Sequence, residues 1–463
     1  MKNIPLIIGA ILFSILFNKQ NLGLNLSLFS IITTIILLIN NQSVFKLKST
    51  KAYSILYLIT AIAVFVYNNN LALIANIVCY FTLIGHVSEH KSSIYLNWIN
   101  GLYSSFVGYV HRNFKNKDGT NKTTLKKEID YFHLAKIIGI PFAVLIIFIG
   151  LYKNGNPMFN GLINKIDLSF INIQWLLVAM VGYYLLSNIS KPVIVDSTTI
   201  KDINTNNLLA KPNNLGVDKL KKEHQLGFVL ILLLNLLILL FLITDITYLI
   251  TENDFRASSF SNQVHSGINA LIASIIIAIA IILYFFRGDL NFYKDNKNLK
   301  TVAYIWMLLN AILVINIIIK DCQYIYFFGL TYKRIGVLVY LLLTTIGLIT
   351  TSIKIKNIKN FWYLLRINTL TAFTILVVSC TVNWDSCITI YNLNYAQSMD
   401  FNYLINLSNN NTFILKNYID NNDLNIKSKR AVQQKFNKYI YLLKQKNWQE
   451  IQFDNLKLIK TND

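Results

Sequence analysis

From Leu226 to Ile250 the chain reads LGFVLILLLNLLILLFLITDITYLI, a run whose one charged side chain is Asp245. A helix rises about 1.5 Å per residue and bilayer hydrocarbon is about 30 Å thick, so about twenty apolar residues cross it. A soluble helix of this length would show a polar face every third or fourth residue, and this one shows none. It reads as a transmembrane helix. Working outward, similar runs cover Ile4 to Phe17, Leu24 to Leu38, Ala52 to Tyr67, Leu71 to Gly85, Ala135 to Leu151 and Ile173 to Ile189. Beyond the first run lie Val264 to Phe286, Thr301 to Ile319, Ile335 to Ile353 and Trp362 to Val382. The expected fold is all-α, a polytopic transmembrane helical bundle of about eleven spans with a small helical C-terminal tail. The N-terminal run, Ile4 to Phe17, follows Lys2 and leads into Asn18-Lys19, without the small residues that a signal peptidase needs, so it is read as a span.

Composition agrees with this reading. Of 463 residues, 54% are hydrophobic and 14% charged, whereas soluble domains carry about 25% charged residues. A net charge of +21 raises the question of nucleic acid, but Lys and Arg fall mostly between the apolar runs, where membrane topology places them. The expected partner is the lipid bilayer, with no nucleic acid. Cys79, Cys322, Cys380 and Cys387 form no CxxC pair and have no histidines at metal-ligand spacing, so no metal or other cofactor is expected.

Ile94 to Val110 is mixed. Leu96, Ile99, Tyr103, Phe106 and Val110 alternate with Asn97, Asn100, Ser104 and Ser105, the pattern of a helix lying in the membrane interface. With that helix in plane, the basic loops around 46–51, 86–134, 190–225, 287–300 and 354–366 share one side. The positive-inside rule makes that side cytoplasmic, in a bacterial cytoplasmic (inner) membrane, with the N-terminus inside and the C-terminus outside. Ser190 to Gln225 is expected to be a flexible loop, and Lys320, Lys333 and Arg334 are expected in outer loops. Residues 1–393 form the membrane domain, and 394–463 an extracytoplasmic tail. In the tail, Val432, Phe436, Tyr439, Ile440 and Leu443 mark one face of a helix starting near Ser428, and a second helix runs from Trp448 to Leu458.

Asp245 is the ionisable residue deepest in a late span and a functional candidate for that reason. Glu252, Asp254, Arg256 and His265 follow near the same outer end, and with Asp385 they make a candidate outer polar cluster. In it Asp245 would exchange a proton and His265 would tune it, although a carboxylate near a helix end also reaches water. His86, Glu89 and His90 share a helical face but lack the zinc-protease order, so an interfacial polar cap is the expected role. No phosphate loop or nucleophile elbow is present. The first functional reading is a sensor or accessory subunit whose tail meets an envelope protein; the alternatives are a proton- or cation-coupled transporter and a membrane-embedded enzyme.

Phe260-Ser261-Asn262-Gln263-Val264-His265-Ser266-Gly267, Leu283-Tyr284-Phe285-Phe286-Arg287-Gly288, Tyr332-Lys333-Arg334-Ile335 and Val382-Asn383-Trp384-Asp385 form a set. With Ile390-Tyr391-Asn392-Leu393, Met399-Asp400-Phe401-Asn402-Tyr403-Leu404 and Trp448, and more weakly Asn156-Pro157-Met158-Phe159, the chain resembles a bacterial integral-membrane family. That family is the domain of unknown function numbered four-one-seven-three, related to four-one-five-three. The resemblance implies several spans and a short C-terminal tail, and brings no activity, cofactor or catalytic residue. Trp384 stands where the family motif commonly has proline.

Overall fold

The computed structural model describes residues 3–118, 141, 144–145, 148–149, 151–159, 161, 173–211, 216–251 and 257–460. Among them the chain is helical, with one isolated bridge between Leu208 and Lys359. Seven described helices are long and apolar enough to cross a membrane, and Ile4–Phe17, Leu24–Asn40 and Ala270–Phe285 are shorter apolar helices. These coincide with the expected spans except Ala135 to Leu151, most of which lies outside the described residues.

The helices form two bundles. The first contains α1 (Ile4–Phe17), α2 (Leu24–Asn40), α3 (Lys48–Tyr67), α4 (Asn70–Ser88), α6 (Ile173–Ser190) and the late helix α12 (Phe361–Cys380). Leu16, Leu37, Tyr57, Leu83, Leu186 and Phe373 fill its core. The second contains α8 (Val217–Thr251), α9 (Ala257–Phe285), α10 (Lys297–Phe328) and α11 (Tyr332–Lys356), packed around Ile231, Ile282, Phe286, Ala303, Ile317 and Leu341. On α8, Leu233, Leu236, Leu237 and Leu240 remain 57–63% exposed, and an apolar face of this extent is matched to lipid. Polar groups turn inward instead. Asn76 Nδ2 lies 3.4 Å from Ser30 Oγ and 3.3 Å from Thr60 Oγ1, contacts that join neighbouring helices where no water competes.

Contacts between chain turns sort the bundle into two ends. At one, Asn41 Nδ2 donates to the Ser190 carbonyl at 2.9 Å, His86 Nε2 is 3.1 Å from Ser49 Oγ, and Asn360 Nδ2 donates to the Asn206 carbonyl at 2.7 Å. Lys46, Lys91, Lys191, Arg287 and Lys356 gather here, so the described parts of the loops read as basic share this end. At the other, Tyr67 Oη donates to the Thr381 carbonyl at 2.9 Å, and the C-terminal residues attach.

Helix α5 (Ile94–Asp118) lies across the basic end. Its start is tied to Asp202 through Ser93 and Tyr95, and at its far part Arg112 donates to the carbonyls of Ser187 (2.8 Å), Asn188 (3.0 Å) and Lys191. Because α6 ends beside Asn41, both ends of this stretch are at the same end of the bundle. Asn97, Asn100, Ser104 and Ser105 are buried, and Ile99, Leu102, Phe106 and Val110 are exposed. Where α5 crosses α4, a Cβ at Gly101 would overlap the Phe81 carbonyl and one at Gly85 the Asn97 carbonyl.

Three expectations change. The stretch from Ser190 to Gln225 contains α7 (Asp196–Asn204) and the start of α8, because Asp202 is bonded from several elements. Lys320 lies within α10, which continues to Phe328, and Arg334 is buried in the first turn of α11. The long tail helix α16 (Ile426–Lys444) is capped by Asn425, whose side chain accepts from the Ser428 N–H at 2.7 Å. That amide position is the usual third residue past a cap, which puts the start earlier than Ser428.

The C-terminal cap comprises α13 (Trp384–Tyr395), α14 (Phe401–Asn406), α15 (Thr412–Asn421), α16 and α17 (Phe453–Lys460). Its core of Ile388, Leu404, Leu415, Ile419 and Val432 packs against Leu330 and Ile335 at the turn between α10 and α11. Burial of this apolar face against the second bundle holds the cap down.

Candidate functional site at the cap end

The turn from α10 to α11 is shaped for the cap. Gly329 has φ +78°, a left-handed conformation that a side chain would strain. The Asn392 amide brackets the next residue, accepting from the Leu330 N–H at 2.5 Å and donating to its carbonyl at 2.9 Å. Arg334 donates to the carbonyls of Phe328 and Gly329 and lies 3.9 Å over the Tyr324 ring. Its charge thus closes the C-terminus of α10, where cations are favoured.

Asp385 sits in the first turn of α13 and is 2% exposed. Tyr332 Oη donates to it at 2.7 Å, Ser408 Oγ donates to its other oxygen, and Asn410 Nδ2 reaches that oxygen at 3.5 Å. Lys435 Nζ lies among the carbonyls of Ile405 (2.9 Å), Leu407 (2.8 Å) and Ser408 (3.0 Å) and Asn411 Oδ1 (2.8 Å). An acceptor-lined ammonium and a donor-lined carboxylate therefore hold one loop from both sides.

The cap also reaches the first bundle. Glu450, 7% exposed, accepts from the Asn21 N–H at 2.6 Å and from Asn21 Nδ2 at 3.2 Å. The Leu24 N–H donates to the Ile451 carbonyl at 3.0 Å, and Gln449 Nε2 to the Ile15 carbonyl at 3.2 Å. Between these attachments is a cleft of about 440 Å³, lined by Asn21, Tyr67, Asn409, Tyr439, Lys446 and Glu450 among others. Burial pushes the Lys446 ammonium down to about 8, against the pull of Glu450 and Asp454. Amides, phenols and one pair of opposite charges suit a small polar ligand.

Asp245 is met from α10. Lys320 Nζ donates to it at 2.5 Å and Asn316 Nδ2 to its second oxygen, with Asp245 12% and Lys320 15% exposed. The pair neutralises the carboxylate where it stands and pins two parallel helices. Glu252, Asp254 and Arg256 lie outside the described residues, as does the side chain of His265, whose backbone is in α9. Asp385 belongs to the cap and has the separate partners given above. At the basic end, His86 faces Ser49 and packs 4.8 Å from Tyr53, whereas Glu89 pairs with His90 at 3.7 Å.

Sequence reading missed a carboxylate bonded from several sides. Asp202 accepts from Ser93 N–H (2.8 Å), Ser93 Oγ (2.7 Å) and Tyr95 Oη (2.6 Å), and pairs with Arg366 at 2.8 Å. Burial alone would raise its carboxyl; the bonds from Tyr95, Arg366 and Ser93 outweigh this and hold it below the usual carboxylate range. Arg366 also donates to Asn207 Oδ1 at 2.6 Å and to the Thr205 carbonyl at 2.9 Å. No short motif could reveal this node, because its members come from three separated segments.

No curated protein and no solved structure matches the chain. The profile of the family described as Domain of unknown function (DUF4153), the relative of the domain named above, matches residues 4–418 and so takes in both bundles and the cap as far as Tyr418. The chain belongs to this DUF4153 family, a domain of unknown function, and its apolar helices mark it as a multi-pass membrane protein.

Proposed function

We propose that the protein is a sensor or accessory subunit of a bacterial cytoplasmic membrane, with its N-terminus inside and its C-terminal cap as the working surface outside. The observation that supports this is the cap's double attachment around a polar cleft. Asp385, bonded by Tyr332, ties the cap to the second bundle while Lys435 braces its own loop, and Glu450 fastens it to Asn21 of the first. A molecule entering the cleft, or a protein landing on the cap, acts on both bundles at once. Tyr441, Leu442 and Trp448 are exposed on the cap, the residue types that anchor protein contacts. Coupled transport through Asp245 is the weaker reading, since Lys320 already meets its charge and a transport cycle would have to part the pair. An enzyme has no convergent catalytic set to rest on among the described residues.

The test is a photo-cross-linking residue in place of Tyr441 in living cells. A discrete adduct with an envelope protein, weakened by Glu450→Ala, is the expected outcome. Absence of any adduct from Tyr441, Leu442 and Trp448 alike would remove the partner-binding role.

A further inference from the structure

At the basic end, a cavity of about 410 Å³ opens between α5 and the segment that follows α6, lined by Ser88, His111, Arg112, Lys191, Pro192, Val193, Ile194 and Asp196. Among the described residues Arg112 bonds the uncharged carbonyls of Ser187, Asn188 and Lys191, so its positive charge is not cancelled by them. Lys191 is exposed, and no carboxylate forms an ion pair with either cation among the described residues. His111 is held by Tyr103 Oη at 2.9 Å from Nδ1. Two cations, one of them held in place, and a histidine therefore face a single lining carboxylate, Asp196, and the cavity favours an anion.

Its position narrows the anion. Helix α5 lies across the end of the bundle, and Ile99, Leu102, Phe106 and Val110 form an exposed apolar stripe leading along it to His111 and Arg112. A ligand with a phosphate at one end and hydrocarbon at the other satisfies both features. We propose that this cavity binds the phosphate of an anionic phospholipid, with Lys191 and Arg112 on the headgroup and the acyl chains along the α5 stripe. The inference rests on the membrane fold and is independent of what the cap does.

The test uses the full-length protein, delipidated in detergent, with Tm read after addition of phosphatidylglycerol, phosphatidylcholine or inorganic phosphate at matched ionic strength. Phosphatidylglycerol should raise Tm by about 5 °C, as a ligand well above its Kd does. Lys191→Glu and the milder Lys191→Gln should both lose most of that rise while keeping the lipid-free Tm, and Lys294→Glu, elsewhere at the basic end, should keep it. An equal rise in the Lys191 variants would overturn the site. An equal rise with inorganic phosphate or phosphatidylcholine would overturn the anionic lipid as its ligand.

Discussion

Asp202 and Arg366, 164 residues apart in the chain, meet at 2.8 Å and join α7 of a segment that reads as a loop to the first turns of α12. The carboxylate side chain is 3% exposed, so loss of the guanidinium strands a buried charge. Arg366→Ala is expected to cost about 3 kcal/mol, read as a lowered Tm in detergent. Arg366→Lys should recover only part, because one ammonium cannot reproduce the bonds to Asp202, Asn207 and Thr205 together. An unchanged Tm for the alanine variant would deny the node its structural role.

The pairing of Asp245 with Lys320 predicts strong coupling between two helices. Lys320→Met leaves a lone carboxylate in a poorly hydrated place and should destabilise by about 3 kcal/mol. Adding Asp245→Asn should restore most of that loss in a double-mutant cycle. Additive single effects would show that the two side chains do not interact.

Close backbone approach at the crossing of α4 and α5 allows no side chain at Gly101, where a Cβ would overlap the Phe81 carbonyl. Gly101→Val should lift α5, destabilise the protein by about 2 kcal/mol, and raise the proteolytic sensitivity of α5. Gly288→Val is the matched control, since a Cβ there meets open space.

Lys446 links the cap to pH. Its ordinary value is 10.5 and burial sets it at about 8 in the fold. Between these values the unfolded chain holds the proton and the folded chain does not, so stability rises with pH across the window. Below about 8 the full cost of burying the ammonium is present. The slope of Tm between these pH limits should be less positive in Lys446→Met than in the parent. Parallel curves for the two proteins would mean that the ammonium is not desolvated by the cap.

Much of the fold is legible in local sequence because lipid requires long uncharged runs, and Leu226 to Ile250 leaves no other reading. The polar, inward face of α5 is legible for a related reason: Asn97, Asn100 and Ser104 recur on one side of it. What escapes is pairing at a distance. Lys320 reads as an outer-loop lysine because its partner Asp245 is 75 residues away. The helix holding Asp202 is short and polar, so no apolar period announces it, and its order comes from Ser93, Tyr95 and Arg366. Glu450 likewise looks like a solvated tail residue until Asn21 is brought beside it.

The central claim is that the cap and the basic loops lie on opposite sides of the membrane. Cysteine labelling by a membrane-impermeant reagent tests it, in a background where native Cys79, Cys322, Cys380 and Cys387 are serine. Asn422→Cys reports the cap, Lys46→Cys the first bundle and Lys294→Cys the second, all at exposed positions. Labelling of Asn422→Cys alone in intact cells, with the other two labelled only after permeabilisation, is the expected result. Labelling of the cap and either basic-end position from the same side would contradict the account.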